Sequence, residues 1–317
     1  MTKKVTLGKT GLEINPIGLG ANKIMEANPE TNTEYGGDIL LAGIEAGMDF
    51  IDTAFIYGRG TSESIIGETF KKHNLRDKVV IATKGAHEVT PDGVKINNRP
   101  EFMRQEVESS LRRLQTDYID LYYVHFPDED TPKAEVIGAL TRLKEEGKIR
   151  SIGVSNFSLQ QIKEGNMDGG IDVVQDEYNL INRTAEIEVF PYFKEQEIAF
   201  IPYFPLASGL LAGAYSLDHK LTENQLNKEH FQEENFKNIL SRVDQIRSLA
   251  EKHHTGLQNI VLAYYLMQEQ VTALIPGARN KKQMLENLKT NQVRLDQKDI
   301  QLIETAFPIG FDFRNSK

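Results

Sequence analysis

The chain has 317 residues, 39% hydrophobic and 26% charged, and no cysteine. It is long enough to bury a substantial core without staples, and disulfides and thiolate nucleophiles are excluded. A formal net charge of −9 argues against a broad nucleic-acid or anionic-membrane surface, both of which need a basic face, and leaves room for a small anionic ligand held by one Arg and a few backbone N–H groups. The start, Met1-Thr-Lys-Lys-Val5, has no apolar stretch after it, and no apolar run approaches ~20 residues. Neither a signal peptide nor a membrane span is expected, and the expected location is the cytoplasm.

In chain order, Val5-Thr-Leu-Gly-Lys-Thr-Gly-Leu-Glu-Ile14 reads as a hairpin turning around Gly8 to Gly11. From about residue 16 to 290, eight short apolar runs follow, at 16–21, 48–52, 79–84, 118–125, 149–155, 172–175, 199–203 and 272–276. Between and after them lie segments with apolar residues at helical spacing, at 38–46, 63–72, 102–114, 133–145, 159–164, 185–195, 257–267 and 282–289. After the seventh run comes an excursion, about 206–255, with a polar stretch at 221–234 that reads as a solvated loop and an extra helix near 236–253. A last helix at about 297–305 precedes the aromatic tail Phe307-Pro-Ile-Gly-Phe-Asp-Phe313, which reads as packing or as one wall of a substrate pocket. Strand–helix repetition implies a parallel sheet covered by helices, and eight repeats favour closure. The expectation is an α/β fold: a (β/α)8 TIM barrel with an N-terminal β-hairpin closing its bottom and extra helices after strand 7 and at the C-terminus. With no linker and no low-complexity tract, it forms one domain over 1–317.

The main clue to function is where the runs stop. The second ends at Asp52, the third at Lys84 and the fourth at His125; the fifth leads to Ser155-Asn156, the sixth to Gln175 and the seventh to Tyr203. In a barrel the strand C-termini converge on the face that carries active sites. Each residue alone has a bland reading: a Lys that snorkels, a hydrogen-bonded structural His, an Asp that caps a turn, a Tyr57 that packs. Together they weaken that reading, because an unpaired Asp or Lys at a half-buried strand end is costly. Pairing Asp52 with Lys84 from adjacent strands removes the cost. A Lys ammonium beside a phenol favours phenolate, so Lys84, kept charged by Asp52, is expected to lower the pKa of Tyr57 and make it a general acid. His125 can donate a hydrogen bond to the same substrate oxygen.

These residues resemble the aldo-keto reductase family over nearly the whole chain, and within it most the bacterial general-stress members. The carrying segments are Asp52-Thr-Ala-Phe-Ile-Tyr57-Gly58, Ala82-Thr-Lys84, His125-Phe-Pro-Asp128, Gly153-Val-Ser-Asn-Phe157, Gln175, Tyr203-Phe-Pro-Leu-Ala-Ser-Gly-Leu-Leu211 and Ile275-Pro-Gly-Ala-Arg279. The resemblance implies NADPH extended across the barrel mouth and a small-molecule carbonyl substrate, with Asp52, Tyr57, Lys84 and His125 as the catalytic tetrad. It places Gly20, Ala21 and Asn22 near the cofactor, and Ser155, Asn156 and Gln175 on its carboxamide. Tyr203 falls on the nicotinamide ring. Pro205, Leu206, Ser208, Gly209 and Leu211 belong to the loop over the pyrophosphate. Gly277, Arg279, Gln283, Glu286 and Asn287 fall at the adenosine end, where Arg279 beside a helix start suits a 2′-phosphate.

Other motifs carry less. Gly18-Leu-Gly-Ala-Asn-Lys23 lacks the third glycine of a dinucleotide fingerprint. Gly153-Val-Ser-Asn-Phe157 lacks the closing glycine of a nucleophile elbow. His253 and His254 are adjacent on an expected helix and diverge, so no metal site is expected. Two alternatives stay open: an NADP(H)-binding redox sensor with little catalysis, and a Schiff-base aldolase using Lys84. Substrate walls are expected near Lys23 and Ile24, Phe55, Phe126, 87–98 and the tail, and the chain is expected to be a monomer or weak homo-oligomer.

Overall fold

A computed structural model describes residues 3–24 and 35–315. Strands β1 (Val5–Thr6) and β2 (Glu13–Ile14) pair antiparallel as the expected hairpin. The barrel wall follows: β3 (Leu19–Gly20), β4 (Phe50–Asp52) and β5 (Val80–Gly85), then a second hairpin, β6 (His87–Thr90) and β7 (Gly93–Ile96), then β8 (Ile119–Val124), β9 (Ile149–Ser155), β10 (Val173–Glu177) and β11 (Ala199–Tyr203). The wall is a 7-stranded sheet of order β11-β10-β9-β8-β5-β4-β3, parallel throughout.

The eighth run does not form a regular strand. Residues 271–277 close the barrel by isolated parallel bridges, Phe200 with Val271 on one side, and Ile17 with Leu274 and Gly20 with Gly277 on the other. The seam is nonetheless hydrogen-bonded: Thr272 N–H donates to the Phe200 carbonyl at 2.9 Å, Leu274 N–H to Pro16 at 2.8 Å and Gly18 N–H to Leu274 at 2.8 Å. Pro276 supplies an acceptor but no donor, which interrupts the ladder there.

Helices α1 (Gly36–Glu45), α2 (Thr61–His73), α3 (Pro100–Leu114), α4 (Lys133–Glu145) and α5 (Leu159–Gly165) cover the sheet, each within a few residues of its expected bounds. On α3, Met103, Val107, Leu111 and Leu114 are buried at helical spacing against the sheet, each stabilising by about 1.5–3 kcal/mol relative to exposure. Helix α5 starts on a capping box: Ser158 Oγ accepts from Gln161 N–H at 3.3 Å while Gln161 Oε1 accepts from Ser158 N–H at 2.9 Å. The expected helix at 185–195 is broken into α6 (Ala185–Glu188) and α7 (Phe190–Glu195), because Pro191 removes a backbone donor and suits only a helix start. The stretch at 221–234 is not a bare loop. It holds α8 (Glu223–Leu226), opened by a Thr222–Gln225 capping box, and a short turn around the buried Phe231. Helices α9 (Glu233–Ile246), α10 (Ser248–Lys252), α11 (Leu257–Tyr265), α12 (Lys281–Leu288) and α13 (Gln297–Ala306) complete the chain.

Two hydrophobic clusters form. One lies between sheet and helices; the other fills the barrel with Phe50, Ala82, Leu121, Tyr123, Val173, Ala199, Ile201, Ala273 and Ile275, plugged below by Leu7 and Ile14. Side chains alternate across a strand. The inward set therefore continues upward, from Phe50 to Asp52, Ala82 to Lys84, Tyr123 to His125, Val173 to Gln175 and Ile201 to Tyr203. The apolar plug fixes the parity that turns these polar residues inward at the rim. In the tail, Phe307, Phe311 and Phe313 are buried and none lines the cavity described below, so its role is packing.

Candidate active site

At the centre of the rim, Lys84 Nζ donates to Asp52 Oδ1 and to the Thr53 carbonyl at 2.9 Å. Gln175 Nε2 donates to the other Asp52 oxygen at 2.9 Å. Asp52 and Lys84 are buried. Burial pulls the Lys84 ammonium down, yet the Asp52 charge and the Tyr57 phenol outweigh it and hold its pKa above the ordinary lysine range. Tyr57 stands in the turn after β4, half-buried, with Lys84 Nζ 5.5 Å from its ring centroid. The turn is anchored on neighbouring strands: Phe55 N–H donates to Lys84 O at 3.0 Å and Ser62 Oγ to Ala21 O at 3.0 Å.

The Tyr57 phenol departs from expectation. Its pKa is raised, not lowered: burial comes first, and the pull of Lys84 does not overcome it. His125 is buried, and burial, then Lys84, then His87 push its pKa down to about 2, so its imidazole is neutral. Its ring stacks on Phe126 at 5.0 Å and meets Tyr57 at 6.2 Å. His87 contacts it edge-on at 4.8 Å, a neighbour that strand-end reasoning misses. The signal for it is Thr90-Pro-Asp-Gly93, a turn sequence that marks a hairpin immediately after β5.

The cluster opens into a cavity of about 470 Å³ that runs from Tyr57 and His125 to Arg279 and Gln283. Ser155, Asn156, Gln175 and Tyr203 line its middle. Asn156 has φ +61°, which asparagine tolerates better than most residues, and its side chain bonds the His125 carbonyl at 3.0 Å and accepts from Tyr203 Oη at 2.9 Å. Beyond β11 the chain takes a left-handed conformation at Ala207, Ser208 and Gly209, forming a loop whose residues 205–209 line the cavity. Lys228 Nζ reaches Ser208 Oγ at 3.3 Å. At the far end Asn280 Oδ1 caps α12 by accepting from Gln283 N–H at 2.8 Å, and Gln283 Oε1 accepts from Arg279 N–H at 2.8 Å.

Most residues singled out in the sequence meet on this cavity: Asp52, Tyr57, His125, Gly20, Asn22, Ser155, Asn156, Gln175, Tyr203, Pro205, Leu206, Ser208, Gly209, Gly277, Arg279 and Gln283 line it. Lys84 lies behind Asp52. Ala21, Leu211, Glu286 and Asn287 do not line it. Ala21 and Leu211 are buried in the core, Glu286 pairs with Lys289 at 2.6 Å, and Asn287 Nδ2 donates to the Gly277 carbonyl at 3.3 Å. Of the expected substrate walls, Lys23 and Phe126 line the cavity, whereas Phe55 packs under Arg113 at 4.9 Å. His253 bonds Asp299 at 2.8 Å, and no cluster of metal-ligating side chains occurs among the described residues. No helix among them is long and apolar enough to cross a membrane.

A parallel barrel with its polar cluster and elongated cavity at the strand C-termini is the arrangement of a barrel enzyme. The sequence profile described as "Aldo/keto reductase family" matches residues 16–307, and the chain belongs to that family of oxidoreductases. An NADH-specific methylglyoxal reductase from Escherichia coli K12 is 32% identical over 95% of this chain and 97% of its own length. A glycerol dehydrogenase from Gluconobacter oxydans superposes with a TM-score of 0.86 at 28% identity, covering 96% of this chain and 94% of that one. An aldo-keto reductase from Klebsiella pneumoniae, solved in complex with NADPH, superposes with a TM-score of 0.74 at 25% identity, covering 97% and 96%.

Proposed function

We propose that the protein is a single-domain reductase of small aldehydes or ketones that uses NADPH, with Tyr57 as general acid and Asp52, Lys84 and His125 as its supporting residues. The observation that carries this reading is the continuity of the cavity from the Tyr57–His125 pair to Arg279. The residues present fit an extended dinucleotide. Residues 205–209 line the cavity, the Ser208 hydroxyl with Lys228 Nζ at 3.3 Å suits a phosphate, and Arg279 beside the start of α12 offers a cation for a further phosphate. Asn156 and Ser155 suit a carboxamide, and the Tyr203 ring suits a flat heterocycle. When bound, the nicotinamide supplies the hydride. Tyr57 donates the proton to the oxygen that gains negative charge, and its raised pKa keeps it protonated until that moment. Lys84 stabilises the phenolate left behind, and Asp52 keeps Lys84 charged and oriented. Neutral His125 aims an N–H at the same oxygen and positions it. A charged, fully buried Lys84 behind Asp52 is a poor Schiff-base nucleophile, which counts against the aldolase reading.

Titration with NADPH and NADH, followed by turnover of an aldehyde panel, tests the proposal in wild type and Tyr57→Phe. The expected result is tight NADPH binding in both, with turnover lost by about a thousandfold or more in the variant. Equal turnover in the variant removes Tyr57 as the acid. Nucleotide binding with no turnover in wild type favours the redox-sensor reading.

A further inference from the structure

Tyr57 stands on a turn with little support of its own. Gly58, Arg59 and Gly60 follow one another in the left-handed region, at φ +65°, +50° and +93°, and such a run persists only where its surroundings hold it. The ends of the turn are fixed: Phe55 N–H donates to Lys84 O at 3.0 Å, and Thr53 Oγ1 donates to Ser62 Oγ at 2.8 Å. The middle closes on itself, Gly60 N–H donating to Phe55 O at 2.6 Å and Ser62 N–H to Tyr57 O at 3.2 Å. The side chain that backs this closure comes from the helical layer. The Arg113 guanidinium of α3 lies 4.9 Å from the Phe55 ring centroid, and its stem packs against Gly60, where a Cβ would stand 2.5 Å from Arg113 Cδ. Arg113 is itself held, its Nε donating to the buried Glu63 at 2.6 Å and its Nη2 to Ser110 Oγ at 3.2 Å. Glu63 in turn accepts from Thr83 Oγ1 at 2.6 Å, one residue before Lys84. One guanidinium thus sets both the Tyr57 turn, through Phe55 and Gly60, and the Lys84 strand, through Glu63 and Thr83. Neither Arg113 nor Phe55 lines the cavity.

We propose that Arg113 is a positioning residue for the general acid: it holds the Phe55–Gly60 turn so that Tyr57 stays beside Lys84 and in reach of the substrate oxygen. The inference rests on the reductase reading and adds to it a residue outside the cavity. Arginine suits the task because its planar group stacks on Phe55 while its Nε reaches Glu63; a lysine keeps the charge and loses the plate. The charges that act on the Tyr57 phenol are those of Lys84 and Asp52. His125 meets its ring edge-on, and Tyr203 is near enough to be raised by its charge. Arg113 acts through the turn and not through its charge. A shift of about 1 Å at the reacting group slows chemistry by about a hundredfold without a change in the nucleotide site. A loosened turn also lets water reach the phenol. Burial is the first cause of its raised pKa, so that pKa falls back toward 10.0.

The test is single-turnover oxidation of bound NADPH by whichever aldehyde of the panel wild type turns over fastest, in wild type, Arg113→Lys, Arg113→Met and Arg76→Met. Arg113→Lys keeps a cation beside Glu63, so the fold is retained even where Arg113→Met leaves that carboxylate unpaired. Arg76→Met is the control. Arg76 is as buried as Arg113 and is likewise tied to a buried carboxylate, Asp120 at 2.7 Å, and to a ring, Tyr118 at 3.8 Å, but near the N-terminal ends of β5 and β8. The single-turnover rate is expected to fall roughly tenfold in Arg113→Lys and about a hundredfold in Arg113→Met. The NADPH Kd stays within about twofold of wild type, and the alkaline limb of the pH profile moves down. Arg76→Met loses stability to urea and keeps the wild-type rate and limb. A wild-type rate, or an alkaline limb that does not move, in the folded Arg113 variants overturns the positioning role alone. A rise in NADPH Kd that matches the loss of rate, or an equal loss in Arg76→Met, shows a general loosening of the barrel and overturns it as well. Absence of turnover for every aldehyde in wild type overturns the reductase reading itself, and the positioning role with it.

Discussion

At the scale of single residues, depth governs the chemistry as much as partnership does. The sequence names Lys84 as the neighbour of Tyr57, and a neighbouring ammonium argues for a lowered pKa. The folded chain adds burial, which no residue letter encodes, and burial reverses the net direction. The same effect keeps His125 neutral, with its pKa at about 2 against an ordinary 6.5. Both shifts favour one protonation state, phenol and neutral imidazole, over a wide range. The rate of aldehyde reduction at saturating nucleotide and substrate is therefore expected to be flat from about pH 5 to 8. A general acid is lost as pH rises through its pKa, so the alkaline limb of the profile lies above the ordinary tyrosine value of 10.0. Initial rates across this range check it. An inflection near 6.5 shows His125 exchanging its proton with solvent and contradicts the neutral buried imidazole.

At the scale of elements, legibility follows burial pattern. Strands buried on both faces read as short apolar runs, and the ends of those runs locate Asp52, Lys84 and His125 from the residue order alone. The stretch at 221–234 is hard to read because α8 is four residues long with none of them buried, and the turn after it rests on one buried aromatic, Phe231, so apart from the Thr222–Gln225 capping box there is almost no periodic signal. Ala21 and Leu211 sit in segments that approach the cavity, but their side chains turn into the core, an orientation no motif specifies. The closing segment 271–277 is legible as a run, though not as an irregular seam. That seam depends on close backbone approach at Gly20: a Cβ there would stand 2.5 Å from the Ile275 carbonyl, a backbone atom that cannot yield. Gly20→Ala is expected to destabilise the barrel by about 1–3 kcal/mol and to weaken NADPH binding, since Gly20 also lines the cavity. Gly277→Ala is the control, because its Cβ meets nothing nearer than Asn22 Oδ1 at 3.4 Å. Urea unfolding of both variants decides the matter: equal stability of Gly20→Ala and wild type removes the steric account of the seam.

At the scale of the whole molecule, β5 joins two chemistries across one strand. Lys84 faces the barrel mouth, while Thr83 faces the helical layer and donates to Glu63 Oε1 at 2.6 Å. Arg113 Nε reaches the other Glu63 oxygen at 2.6 Å, so α2 and α3 are tied to the strand that carries Lys84. Glu106 of α3 lies near this group without sharing in it. It is buried, its Oε2 has no hydrogen-bond partner among the described residues, and burial pushes its pKa up to about 7, with Arg113 opposing and Glu63 reinforcing. Below the unfolded value of 4.5 the carboxyl is neutral in both states and folding is unaffected. Above it the unfolded chain ionises while the folded chain holds the proton, so stability is lost as pH rises through the folded pKa. Glu106→Gln keeps the shape and removes the titration. Relative to wild type, the variant is expected to gain about 2–3 kcal/mol between pH 4.5 and 8, measured as the change in the variant–wild-type difference in urea unfolding free energy. A difference that stays constant across that range means Glu106 ionises freely in the folded protein, and its buried, unpartnered state is then not the one populated in solution.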